Sequence, residues 1–96
     1  MIVTLDEAKL WLRQGSDDDD ELITAILIPA AEKYIKNATG KEFDSTNELA
    51  KLLCLVLITD WYDNREMIGK TSDKIRHTVD SILQQLSLEP GAEVEP

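Results

Sequence analysis

One cysteine, one histidine and nineteen carboxylates are the groups in this 96-residue chain best able to do chemistry, and their spacing builds no catalytic set. Cys54 lies inside an unbroken apolar run, residues 52–58, and reads as a small buried hydrophobe rather than a reactive thiol. His77 stands two positions after Ile75 and two before Val79. That places it off the apolar face of its helix, as a surface side chain. Four consecutive aspartates, Asp17, Asp18, Asp19 and Asp20, precede Glu21 and invite a calcium reading. The alternating spacing of a calcium loop is missing, however, and consecutive carboxylates point in different directions. They fit better as an N-cap with favourable charge at a helix start. Asp60 and Asp63 form a pair of the kind an acidic surface produces by chance. No glycine-rich phosphate loop, CxxC or HExxH occurs. The expectation is a protein that is not an enzyme, with no cofactor and no metal.

A different kind of chemistry, recognition, is offered by residues 61–66, WYDNRE, which close the apolar run. Trp, Tyr and Arg are the side chains most enriched at the centres of protein interfaces. Trp61, Tyr62 and Arg65 are therefore the candidate contact residues. A plainer possibility stands beside this one: the aromatics finish the core while the polar residues end the helix in water.

Four helices must position these groups. Thr4 and Glu7 have capping-box spacing, and Leu5, Ala8, Trp11 and Leu12 form an apolar face that Gly15 should end. So short a helix does not persist alone, so Trp11 must dock on something. A second helix is predicted over residues 18–38, with Leu22, Ile23, Ile26, Leu27, Ala30, Ala31, Tyr34 and Ile35 at helical spacing. Pro29 falls within it and should kink or break it at the Ala25 carbonyl, with Thr39-Gly40 as the stop. Ser45 and Glu48 make a second capping box, opening a third and longest helix that should reach Met67, about 33 Å at 1.5 Å per residue. A fourth, over residues 73–86, carries Ile75, Val79, Ile82, Leu83 and Leu86 on one face. The expected fold is all-α: a small bundle of about four helices around one long central apolar helix. Leu22, Ile26, Ile35, Leu53, Val56, Leu57, Val79 and Ile82 are the expected core. The helical domain is placed at residues 1–87, and residues 88–96, LEPGAEVEP, are expected to be a disordered acidic tail.

Composition narrows the function classes further. The formal charge is −9, from nineteen acidic against ten basic residues, and the basic residues are dispersed. Gripping duplex DNA requires clustered Lys and Arg, so an electrostatic hold on phosphates is not expected. The apolar run of seven residues is far short of the ~20 needed to span a bilayer, so no membrane role is expected. The start, MIVTLDEAK, has no basic region followed by a long apolar core, which argues against secretion. A central helix apolar on nearly every side cannot be covered fully by a chain this short, which points to cover from partners.

WYDNRE at the end of an apolar helix resembles the W-Y-x-N-R-E signature of the small head–tail connector proteins of long-tailed bacteriophages, a family also described as adaptor or DNA-packaging proteins. LDEAKLWLR is similar to the family's L-x-E-x-K-x-x-L-R opening, DDDDELI to its D-D-x-x-L-I segment, and AAEKYIKNATG to its A-A-x-x-Y-I-x-x-x-T-G. VDSILQQL resembles the approach to the Gln-Leu-Arg-Gly motif of one branch, although Ser87-Leu88 stands where Arg-Gly would follow. The resemblance covers residues 4–86. It implies a non-enzymatic virion protein at the head–tail junction, present in the host cytoplasm during assembly. It also implies a homo-oligomeric ring between the portal protein and a tail-side or head-completion protein, extending a channel through which genomic DNA passes without sequence-specific binding. Such genes also occur in prophages. The alternative is a small acidic helical regulatory or DNA-mimic interaction module. A further rival is an enzyme subunit or accessory factor, and genomic neighbours would separate the three.

Overall fold

The computed structural model describes residues 2–13, 15 and 18–89. It contains helix α1 (Leu5–Leu12), helix α2 (residues 20–39), helix α3 (Glu48–Asp63) and helix α4 (Asp73–Leu86). Among the described residues there is no strand, and the architecture is the expected all-α bundle. Helix α3 is its centre and packs against α1, α2 and α4. Its buried residues, Ala50, Leu53, Cys54, Leu55, Leu57, Ile58, Asp60 and Trp61, leave only one side of the helix towards solvent. Ile23, Leu27, Ala31 and Ile35 of α2 and Val79, Ile82 and Leu86 of α4 close over them. Each such aliphatic side chain contributes about 1.5–3 kcal/mol by leaving water.

Helix α1 begins as its residues dictate. The Glu7 amide donates to Thr4 Oγ1 at 3.1 Å and the Thr4 amide donates to Glu7 Oε1 at 2.9 Å. It ends earlier than Gly15: Arg13 takes the left-handed conformation, φ 58°, and its amide closes the last turn on the Leu10 carbonyl at 3.2 Å.

Helix α2 shows how the chain accommodates Pro29. The helix starts at Asp20, passes through a π-helical turn at Ile23–Leu27, and continues as an α-helix over Ile28–Thr39 with the proline in its first turn. Within the wide turn the Ile28 amide donates five residues back, to the Ile23 carbonyl. Widening the turn before the proline relieves the clash of its ring with the preceding carbonyls, so the helix is not broken and the expected disturbance takes the form of a π turn. The extra residue per turn rotates the register. Ile28 becomes buried and Ile26, expected in the core, is 46% exposed. Of the other expected core residues, Ile35, Leu53, Leu57, Val79 and Ile82 are buried, while Leu22 and Val56 are partly buried. Gly40, φ 74°, ends α2 with its amide on the Lys36 carbonyl at 2.7 Å, as Thr39-Gly40 predicts.

Two expectations for α3 are corrected. Its cap is Asn47, whose Oδ1 accepts from the Ala50 amide at 2.9 Å, and not Ser45. Asp44 takes the upstream turn for itself by accepting from the Thr46 amide at 3.0 Å, which leaves Asn47 as the first side chain free to cap. The helix also stops at Asp63 rather than Met67. Asn64 turns to φ −133°, ψ 84°, and Arg65–Met67 form a 3₁₀ turn. At 16 residues α3 is still the longest stretch of regular α-helix, while α2 with its π turn spans residues 20–39. Helix α4 occupies its predicted span and buries its predicted face, with Ile75 and Leu83 at the edge.

The folded body runs past the expected boundary at residue 87. Lys41 Nζ donates to the carbonyls of Ser87 and Glu89 at 2.7 and 2.8 Å, and Asn47 Nδ2 donates to Glu89 Oε1 at 2.7 Å. Glu89 is thus tied to the helical body, and the remainder of the expected tail, residues 90–96, lies outside the described residues.

Candidate functional site

The WYDNRE segment forms the corner where α3 ends. Trp61 is fully buried. Its ring meets Tyr34 edge-on, with centroids 6.1 Å apart and planes at 70°. Its Nε1 donates to the Lys70 carbonyl at 2.7 Å, so the indole ties the end of α3 to the turn before α4. Tyr62 is half-buried and its hydroxyl donates to the Asp19 carboxylate. Arg65 stands exposed on the 3₁₀ turn. The three candidate contact residues therefore occupy three environments: one inside the core, one bridging two helices, one in solvent.

Asp60 is the buried charged residue of this corner. Its Oδ1 accepts from Ser72 Oγ at 2.9 Å, at the start of α4, where the helix dipole favours a carboxylate. Its Oδ2 is buried and has no hydrogen-bond partner among the described residues.

The aspartates before α2 do not act mainly as caps. Asp19 holds the N-cap position without a side-chain cap bond, and it serves Tyr62. Asp20 pairs with Lys9 of α1 at 2.9 Å. Asp17 lies outside the described residues. Among the described residues there is no group of three or more His, Cys, Asp or Glu side chains that could hold a metal ion. No helix among them is long and apolar enough to cross a membrane. Burial pushes the Cys54 thiol up to about 12, far from the thiolate form that nucleophilic chemistry needs. His77 is exposed on α4 and lines a shallow surface depression with Asp80, Ser81 and Gln84.

One surface feature escaped the reading of the residues. Between α1 and α3 runs a groove of about 560 Å³, lined by Glu7, Leu10, Trp11, Arg13, Lys51 and Leu55. Leu10 is 81% exposed and Trp11 47%. Trp11 docks as expected, its Nε1 donating to Thr59 Oγ1 at 2.7 Å, but half of the ring stays in solvent. Trp11 also lines a smaller recess of about 140 Å³ with Val56, Thr59, Asp60, Asp63, Lys74 and Ile75. The signal for this groove was present in the chain. Leu10 is apolar but lies off the inner face of α1, and residues 52–58 supply more apolar surface than three neighbouring helices can cover.

Compared with known protein families, residues 2–88 match the family described as Phage gp6-like head-tail connector protein. The match takes in all four helices and the WYDNRE corner. No curated protein and no solved structure matches the chain.

Proposed function

The chain belongs to the phage head–tail connector family, structural virion proteins that link portal and tail, and from that premise we propose how this member does its work. Family membership implies contact with portal and tail proteins and assembly into an oligomeric ring. In our reading the copies form a ring at the head–tail junction, seated on the portal and offering its other side to a tail-side or head-completion protein. The ring is built from subunits made in the host cytoplasm. It prolongs the channel through which the genome leaves the capsid.

The observation that carries this reading is the family match across the whole helical body. Two physical features support it. Apolar surface on α1 and α3 remains uncovered in the single chain, as a subunit of a larger assembly requires. The charge of −9 suits a conduit, because duplex DNA slides past a wall that does not bind it. At the WYDNRE corner we assign Arg65, with Tyr62 beside it, to contact with the portal or a neighbouring subunit. Trp61 holds that corner in shape from within.

A regulatory or DNA-mimic module is less well supported. A mimic needs carboxylates free on one face, whereas Glu7, Asp19, Asp20, Glu42, Asp44 and Asp60 are engaged with partners inside the fold.

In vitro complementation tests the proposal. DNA-filled heads assembled without this chain should fail to join tails, and the purified protein should restore joining and infectivity. Heads that join tails equally well without it would contradict the reading.

A further inference from the structure

The groove between α1 and α3 has a matching face elsewhere on the same chain. The outer side of α2 carries Glu21, Ala25, Ile26, Pro29 and Lys33, all exposed. Ile26 is there because the π turn rotates it out of the core. Glu21, Ile26 and Lys33 are spaced in the chain as Lys51, Val56 and Asp63 are on α3, with the charges reversed and an apolar residue in between. The surroundings carry the same signs. The groove holds Arg13 and Lys51 against Glu7, a net cation, while the recess holds Asp60 and Asp63 against Lys74, a net anion.

We infer that the groove of one copy receives the outer face of α2 of the next copy. Ile26 then packs on Leu10, Trp11 and Val56, Glu21 meets Arg13 and Lys51, and Lys33 reaches the Asp60–Asp63 recess. Helix α1 is tied to α2 by Lys9–Asp20 and to α3 by Glu7–Lys51. Two different faces on one chain make a head-to-tail contact, the kind that propagates and can close into a ring. This inference rests on the ring reading above and specifies its subunit contact.

Two variants at exposed positions test it by native mass spectrometry of the full chain, with portal added where the parent requires it. Leu10→Glu spoils only the groove, and Ile26→Asn only the outer face of α2. Each alone should lose the ring formed by the parent, with its circular dichroism unchanged. Mixed, they retain one good groove and one good face between them, and should form 1:1 pairs that stop at two. Lys33→Glu should repeat the Ile26→Asn result. A ring formed by either variant alone, or a mixture that stays monomeric, would overturn this contact and leave the connector reading standing. A parent that remains monomeric both alone and with portal would overturn the ring and the contact together.

Discussion

Trp61 owes its importance to both ends of its side chain. The ring fills the space between α3 and Tyr34, and the Nε1 reaches the Lys70 carbonyl across the corner. Trp61→Ala should therefore lower stability by about 3–5 kcal/mol, the usual cost of emptying a large aromatic site. Trp61→Phe should lose less, since it keeps most of the packing and gives up one hydrogen bond worth about 1 kcal/mol. Urea unfolding followed by circular dichroism measures both. Equal losses for the two variants would mean that the hydrogen bond, and not the packing, dominates. The neighbouring Trp61 and Tyr62 look alike in the chain because each has an apolar body and a polar tip. Only the end point of α3 decides which is enclosed. Cys54, by contrast, was legible, because an apolar run on all sides leaves a thiol nowhere to be solvated.

Helix existence was easy to read here and helix ends were harder, and competition between caps explains the difference. Thr4 has no rival upstream, and its capping box forms as its spacing predicts. Ser45 also heads a capping-box pattern, but Asp44 captures the Thr46 amide and shifts the true cap to Asn47. Asn47 then does double duty, with Oδ1 on the Ala50 amide and Nδ2 on Glu89. Asn47→Ala should cost about 1–2 kcal/mol, the upper part of the range for a lost cap. Ser45→Ala should cost little, and the same urea experiment separates them. Pro29 was legible as a disturbance, but its remedy was not. A π turn has no residue signature in an apolar stretch, so the rotation that exposes Ile26 could be found only in the folded helix. For the same reason, half of the inferred subunit contact was invisible in the residue pattern, while the over-apolar α3 announced the other half.

For the molecule as a whole, charge and incompleteness are the governing facts. Among nineteen acidic residues, Glu7, Glu42 and Asp44 are held below the ordinary carboxylate range by hydrogen bonds to Lys51, Lys36 and Thr46 respectively. A carboxyl lowered in the folded state stabilises the fold at pH above its ordinary value, and that contribution is lost as pH falls through the lowered value. Protonating the other carboxylates meanwhile relieves repulsion in so acidic a chain, so the parent's own pH profile mixes two opposing effects. The difference between the parent and Glu7→Gln isolates one of them. It should be constant from pH 7 to 5 and shrink towards zero below about pH 4, and 1 M salt should diminish it because the Glu7–Lys51 pair is partly exposed. Thermal unfolding across that range checks the sign. The incompleteness is the larger matter: an apolar groove and a half-exposed tryptophan lie together along α1 and α3. Native mass spectrometry of the purified chain, alone and with its cognate portal, tests most directly whether other copies complete it. A closed ring in either sample is the expected result. A monomer in both, with no portal bound, would contradict the account.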